Sequence, residues 1–257
     1  ISALSSGQVV AITTADLSLM SVSQVRALST GQVVALTGSQ LVSLTTDRIS
    51  SLASAQVAGF SNDQLLQLQI EDLIALTSSQ IRALTNSQVS ALATTQLSSL
   101  EALDLASMLT SQVAAFGDAQ ITALSTDQIT ALVSAQLMAL SSSQLTALEV
   151  PDLVRLSVLQ LKSLTSHQVS LLADSQVVAL ESDQVAGLAT SQVSALATSQ
   201  VAAMETRDVA ALAAAQVRAL TSSQISALTT QQVLAVEDAD IAALLTSQVV
   251  ALRDEQL

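Results

Sequence analysis

The chain has 257 residues, half of them hydrophobic, with one His, no Cys and a formal net charge of −13. This charge disfavours nucleic acid and anionic lipid as partners, because binding to either begins with a basic surface, and the absence of Cys excludes disulfides and thiolate metal sites. Apolar stretches such as Val209 to Ala215 are well below the ~20 residues of a membrane-spanning helix, which predicts a soluble protein.

From its first residues the chain is a tandem repeat with a period of eight. We name each position by its phase, the residue number modulo eight. Phase zero is Gln from Gln8 to Gln256, except for Arg48 and six Asp residues, and no insertion or deletion disturbs the register over 32 octads. This predicts one continuous array over residues 1–257, because repeat proteins grow by adding units.

The first and last residues share one phase, and no initiator Met, signal peptide or polar capping unit is present, so we expect a window of a longer array.

Two phases carry the predicted core. Phase one is always Val, Ile or Leu, and phase four is always Leu, Ile, Val, Met or Phe. Phase three is Ala, Ser or Gly in nearly every octad, which predicts that a neighbouring backbone passes close to it and leaves no room for a larger side chain. The exceptions are Leu19, Gln67, Arg155 and Leu171. At Leu19, Arg155 and Leu171 we expect the tight packing to open.

The octad predicts a very short α-helix in each repeat. One long helix would rotate its apolar stripe by about 80° per octad and never present a single face, so the helix has to restart. Ser or Thr at phase five with Gln three positions later is a capping box, which marks a helix start. Where phase five is Ala, as at Ala53, Ala93 and Ala197, we expect Ser or Thr at phase six to cap instead. The predicted capping side chains at phase zero are Gln80, Gln88, Gln224, Asp16, Asp72, Asp104, Asp152, Asp208 and Asp240.

The charges agree with a helix start at this place. All Asp and Glu residues lie at phases five, six, seven or zero, where a helix macrodipole favours acids, and Pro151 falls in a first turn, where its missing N–H costs little. We therefore predict an all-α fold, an elongated solenoid of 32 very short helices in which each packs on the next through phases one and four. A β-solenoid is the alternative, because Val, Ile, Ser and Thr also suit strands.

A longer period of 17 octads overlies the octad. Asp16, Asp72 and Asp104 recur as Asp152, Asp208 and Asp240, Arg26 and Arg82 recur as Lys162 and Arg218, and Leu19 is followed by Arg155 at the same spacing. Duplication of a 17-octad block explains this period. A second explanation, compatible with the first, is that the block matches a whole number of superhelical turns or a subunit spacing. If the block matches such a spacing, the residues that could contact a neighbouring turn or subunit are Leu19, Arg155, Arg26, Lys162, Arg82 and Arg218.

The sequence predicts no catalytic or metal-binding group. His167 stands alone at phase seven, without a second His or a Cys, and gives the abundant Ser residues no triad. Glu71 with Asp72, and the segment Glu237 to Asp240, are acidic but lack the Gly and the downstream Glu of an EF-hand loop. We interpret these acids as helix-start charges. We expect no enzyme activity, no cofactor and no small-molecule substrate.

Short phrases of the sequence resemble known repeats. SGQVVAI, from Ser6 to Ile12, and LTSQVVAL, from Leu245 to Leu252, resemble the opening helix of transcription-activator-like effector repeats. Those repeats are longer, carry a base-reading loop and belong to basic proteins, so DNA reading is not implied here. Over its whole length the chain resembles the octapeptide arrays, LTxxQVxAL in pattern, of large secreted bacterial proteins that are often adhesin-like. This resemblance implies an extracellular or cell-surface location.

These observations predict a structural role, as a spacer, stalk or filament segment of a bacterial surface or secreted assembly. The expected partners are further copies of the chain or other surface proteins, with no nucleic acid and no membrane insertion. The alternative is a protein-binding solenoid scaffold whose phase-two and phase-six residues contact a partner.

Overall fold

Each octad folds as one very short helix. The computed structural model describes all residues 1–257 and contains 31 α-helices followed by one 3₁₀ helix, with no strand. The α-helices have four to six residues each. The fold is an all-α solenoid, as predicted, and the β-solenoid alternative is wrong.

All helices begin at phase six. Their bounds are α1 Ser6–Val10, α2 Thr14–Leu19, α3 Val22–Arg26, α4 Thr30–Ala35, α5 Gly38–Val42, α6 Thr46–Ser50, α7 Ser54–Val57, α8 Asn62–Gln67, α9 Ile70–Ile74, α10 Ser78–Ala83, α11 Asn86–Ala91, α12 Thr94–Ser98, α13 Ala102–Ser107, α14 Thr110–Val113, α15 Asp118–Thr122, α16 Thr126–Ala131, α17 Ser134–Met138, α18 Ser142–Thr146, α19 Val150–Arg155, α20 Val158–Ser163, α21 Ser166–Ser170, α22 Asp174–Val178, α23 Ser182–Ala186, α24 Thr190–Ala195, α25 Thr198–Ala203, α26 Thr206–Ala210, α27 Ala214–Ala219, α28 Ser222–Ala227, α29 Thr230–Ala235, α30 Asp238–Ala242 and α31 Thr246–Val249, and the final 3₁₀ helix is Asp254–Gln256.

Extended residues at phases four and five separate consecutive helices. After α10, Leu84 has φ −59° and ψ 143°, and Thr85, the N-cap of α11, has φ −76° and ψ 160°. No residue has a positive φ. The chain therefore turns between helices without the left-handed conformation that favours glycine, which explains why six glycines suffice for the whole array.

Phases one and four form the core, as the sequence predicts. Leu65 and Ile81 at phase one are fully buried, and Leu84 at phase four is 3% exposed. Full burial of an aliphatic side chain contributes about 1.5–3 kcal/mol. Helices this short are unstable alone, so their stability comes from the neighbours on which these side chains pack.

The structure shows which helices meet. Most helices contact the helix three positions away along the chain, as α10 contacts α7 and α21 contacts α24. The helices group into two compact units, Ile1–Leu132 and Val133–Leu257, and both have this spacing of contacts. None of the helices has the length and apolar character required to cross a bilayer.

Phase three lies against phase six of the helix three positions earlier. A Cβ atom on Gly59 would lie 2.5 Å from the Thr30 Cγ2 atom, and a Cβ atom on Gly187 would overlap the Val158 side chain. The close neighbour is therefore a phase-six side chain, and the prediction of a close backbone is wrong. This side-chain contact explains the small residues at phase three. Where phase three carries Gln67, the opposite phase-six residue is Gly38, whose missing side chain leaves the space that the Gln67 amide occupies.

The large residues at phase three differ in their surroundings. Leu19 is 80% exposed, and it belongs to α2, which has no helix three positions earlier to cover it. Arg155 is also exposed, whereas Leu171 is half-buried. Arg155 is therefore a surface position.

Candidate functional site: the glutamine ladder

The phase-zero glutamines cap their own helices. The backbone N–H groups of Thr77, Thr85 and Thr221 donate to Oε1 of the Gln three positions later at 2.7, 2.6 and 2.6 Å. In return, the threonine hydroxyl oxygens accept from the backbone N–H groups of Gln80, Gln88 and Gln224 at 3.4, 3.2 and 3.2 Å. Two of the unpaired donors of each helix start are thereby satisfied.

The same glutamines also reach another helix. Nε2 of Gln88 donates to the carbonyl oxygens of Ala58 and Phe60 at 3.0 and 2.6 Å. Nε2 of Gln224 donates to those of Val193 and Leu196 at 3.0 and 2.7 Å. In both cases the acceptors lie at the carboxyl end of the helix four positions earlier, where helix carbonyls lack intrahelical partners.

We call this repeated arrangement the glutamine ladder: Oε1 accepts at the start of one helix, and Nε2 donates to the end of the helix four positions earlier. It recurs in both units, for example at Gln40 and Gln192. The ladder glutamines are buried. Because helix contacts join elements three apart and the ladder joins elements four apart, one turn of the solenoid holds between three and four helices.

Arg48 takes the glutamine position in α6 and keeps the donating role. Its Nε donates to the carbonyl oxygen of Met20, at the end of α2, and its NH1 donates to the Thr45 hydroxyl at 2.8 Å. A cationic donor therefore substitutes for the amide at this rung.

The expectation that the cap moves to phase six where phase five is Ala is wrong. Ala53, Ala93 and Ala197 are themselves the N-caps of α7, α12 and α25. The Ala53 N–H still donates to Gln56 Oε1, at 2.7 Å. The glutamine thus fixes the helix start without help from a hydroxyl group.

The phase-zero aspartates make different contacts. Asp152 accepts from the Glu149 N–H at 3.2 Å, and Asp16 accepts from the Thr13 hydroxyl at 2.8 Å. Asp72, Asp104 and Asp208 instead accept from a hydroxyl group of the helix three positions earlier, on Thr46, Ser78 and Ser182, at 2.8, 2.7 and 2.7 Å. Asp240 is buried in the first turn of α30. An ionised carboxylate cannot donate, so these rungs lose the amide bond to the helix four positions earlier.

Asp72 and Asp208 show two costs of this substitution, a raised pKa and an unpaired buried oxygen. Burial raises the pKa of the Asp72 carboxyl and the Glu71 charge acts in the same direction, whereas bonds from the Thr46 hydroxyl and the Gln69 backbone lower the pKa without cancelling the rise. Asp208 is fully buried, and its Oδ2 is the one buried side-chain nitrogen or oxygen in the chain without a hydrogen-bond partner.

The other predicted positions are dispersed over the surface. Arg26, Arg82, Lys162 and Arg218 are exposed on α3, α10, α20 and α27. His167 is exposed in α21. The acidic residues near Asp72 and Asp240 form no group of three or more carboxylate, imidazole or thiol side chains that could hold a metal ion.

The fold and the ladder define a helical tandem-repeat protein, an α-solenoid. Residues 9–46, 97–134 and 201–237 match the family model described as the ALTTAQ repeat. All three matches begin at phase one, and the letters Ala-Leu-Thr-Thr-Ala-Gln follow the residue preferences of phases three to zero in order. No curated protein matches the chain.

Proposed function

We propose that this repeat array is a structural spacer, stalk or filament segment of a bacterial extracellular or surface assembly, and that it has no enzymatic role. The glutamine ladder is the observation that carries the proposal. It uses the most regular polar side chain of the repeat to join one helix to another, and it buries that side chain away from any substrate or partner.

The ladder suits a load-bearing role because every rung links two helix ends. Gln112 illustrates the link: its Oε1 accepts from the Leu109 N–H at 2.7 Å, and its Nε2 donates to the Leu84 carbonyl oxygen at 2.7 Å. If one turn of the solenoid is pulled away from the previous turn, nearly every octad of that turn loses its bond from the Gln Nε2 atom to the earlier helix. The apolar contacts of its phase-one and phase-four side chains are lost as well.

The location and the partners follow from the resemblance to octapeptide arrays of secreted bacterial proteins and from the acidic composition. We propose self-association, or binding to other surface proteins, as the means of assembly. The net charge of −13 disfavours nucleic acid and anionic lipid as alternatives.

Electron microscopy over a range of protein concentrations, with sedimentation velocity in parallel, tests the assembly. Fibres that lengthen with concentration are the expected result. Monodisperse particles of one chain at every concentration would refute the filament role.

A protein-binding scaffold is the second candidate, and the exposed apolar residues at phase two favour it. Leu66, Ile74 and Leu234 are 48%, 40% and 78% exposed. On this proposal, replacing them with Ser abolishes capture of a partner from a bacterial surface extract and leaves the helical circular dichroism unchanged. If fibres form as before with these three substitutions, phase two is not the self-association surface.

A further inference from the structure

Asp208 takes the place of a ladder glutamine, and one of its carboxylate oxygens has no hydrogen-bond partner. Its Oδ1 accepts from the Ser182 hydroxyl at 2.7 Å, whereas Oδ2 is buried without any partner. Arg207 does not fill the gap, because its Nε lies 3.6 Å from Oδ1 and 2.8 Å from the Glu205 carboxylate. A buried acceptor without a donor costs about 1–3 kcal/mol and requires an explanation.

The repeat identifies what faces this carboxylate. In the next octad, Nε2 of Gln216 donates to the carbonyl oxygens of Val185 and Leu188 at 3.2 and 2.8 Å. The equivalent carbonyl oxygens for Asp208, one octad earlier, are those of Val177 and Leu180. The repeat register therefore places Asp208 opposite carbonyl oxygens whose equivalents, one octad later, accept from Gln216.

We propose that Asp208 holds one water molecule, which donates one hydrogen to its Oδ2 atom and the other to the Leu180 carbonyl oxygen. Water supplies the two donors that this pair of acceptors lacks. The Asp side chain is one methylene shorter than Gln and carries no NH2 group, which leaves space where the amide nitrogen lies in other octads. Buried waters typically make about three hydrogen bonds to polar groups that are otherwise unsatisfied, and the Val177 carbonyl oxygen is a further neighbour.

A metal ion fits this position less well. Calcium takes six to eight oxygen ligands, commonly with several carboxylates, and the Arg207 guanidinium lies on the side of Oδ1. The site has one carboxylate, that of Asp208, beside neutral carbonyl oxygens, and the Arg207 cation lies nearby. It therefore favours a neutral water molecule over a metal ion, which would add a second positive charge.

A high-resolution crystal structure of the chain, together with one of the Asp208→Gln variant, tests the site. We expect one ordered water about 2.7–3.0 Å from Oδ2 of Asp208, and in the variant an amide that displaces the water and donates to the Leu180 carbonyl oxygen. The variant should melt about 2–4 °C higher, because a direct bond replaces a buried charge and an immobilised water.

Gln216→Asp is the matched control, because the Thr190 hydroxyl precedes Gln216 at the same spacing as the Ser182 hydroxyl precedes Asp208. This variant should melt lower and acquire a water at the equivalent position. The parent chain should melt at the same temperature in sodium chloride and in choline chloride of equal strength. No density beside Oδ2, a shell of five or more oxygens about 2.3–2.6 Å from the bound atom, or an unchanged melting temperature for Asp208→Gln would each overturn the proposal.

Discussion

Replacing Gln88 with Glu tests the two bonds of the ladder separately, because it keeps the acceptor at the helix start and removes the donor to the earlier helix. The introduced carboxylate has the shape of the amide and can still accept from the Thr85 N–H, which lies 2.6 Å from Oε1. It cannot donate to the Ala58 and Phe60 carbonyl oxygens, which receive Nε2 at 3.0 and 2.6 Å. Gln88 is 3% exposed, so water has little access to replace the lost bonds.

The expected loss is about 2–6 kcal/mol at neutral pH, because each of the two lost bonds contributes about 0.5–1.5 kcal/mol and a buried group left unsatisfied adds about 1–3 kcal/mol. The carbonyl oxygens also disfavour the charged form, which raises the folded-state pKa of the introduced carboxyl above its unfolded value. The penalty is therefore present at high pH and shrinks as pH falls through that raised pKa, because the protonated acid can donate.

Gln24→Glu is the matched control. Gln24 accepts from the Ser21 N–H at 2.8 Å, but it is exposed and no helix lies four positions before α3. Urea unfolding followed by circular dichroism, with hydrogen exchange to localise the loss, should show a large pH-dependent effect for Gln88→Glu and a small one for the control. Equal losses in the two variants would refute the idea that donation to the earlier helix stabilises the array.

Three further experiments probe other contacts. Ala83→Leu should destabilise the chain by about 1–3 kcal/mol through overpacking of phase three, whereas Arg82→Ala on the exposed phase should stay within about 0.5 kcal/mol; comparable melting temperatures would contradict the packing. Gly187→Ala should destabilise because its Cβ overlaps the Val158 side chain, and adding Val158→Ala should restore stability; failure of that rescue in thermal melts would argue against a direct contact. Asp72→Gln should stabilise most at neutral pH, and its advantage should shrink as pH falls through the raised pKa of Asp72; a constant difference across pH would count against burial as the cause.

Local patterns in the sequence predict the helices well because the relevant physics lies within one octad. Thr85 and Gln88 are three positions apart, and the bond between them follows from that spacing alone. The apolar residues at phases one and four likewise identify the buried side of each helix. Even the small residues at phase three indicate a close neighbour, although not that the neighbour is phase six of the helix three positions earlier.

The sequence does not predict the bond from the Gln Nε2 atom to the earlier helix. This bond joins helices four positions apart, and no local sequence rule specifies that separation. A signal was nonetheless present in the residue choice. A capping box accepts Glu or Gln at its last position, yet phase zero never carries Glu. The absence of Glu indicates that most phase-zero side chains donate as well as accept, and Arg48, which also donates, agrees with this. The six Asp residues at phase zero are the exceptions.

Some side-chain hydrogen bonds in the structure repeat with the 17-octad period, and others do not. The pair Thr46 and Asp72 recurs as Ser182 and Asp208, and both pairs form the same hydroxyl-to-carboxylate bond. The bond between Ser78 and Asp104 has no such counterpart, because Ala214 precedes Asp240 at the same spacing. Duplication followed by divergence explains this pattern, and the return of one surface to the same contact stays a prediction.

Every amide of the ladder donates backwards, to residues that precede it in the chain. During synthesis a ribosome therefore releases each acceptor before the glutamine that will bind it, and a growing solenoid can lengthen from its amino-terminal end without waiting for sequence still to be translated. The constant interval of about four octads also keeps the contact order low at any length, so a gene can gain or lose whole repeats without changing how the remaining ones fold.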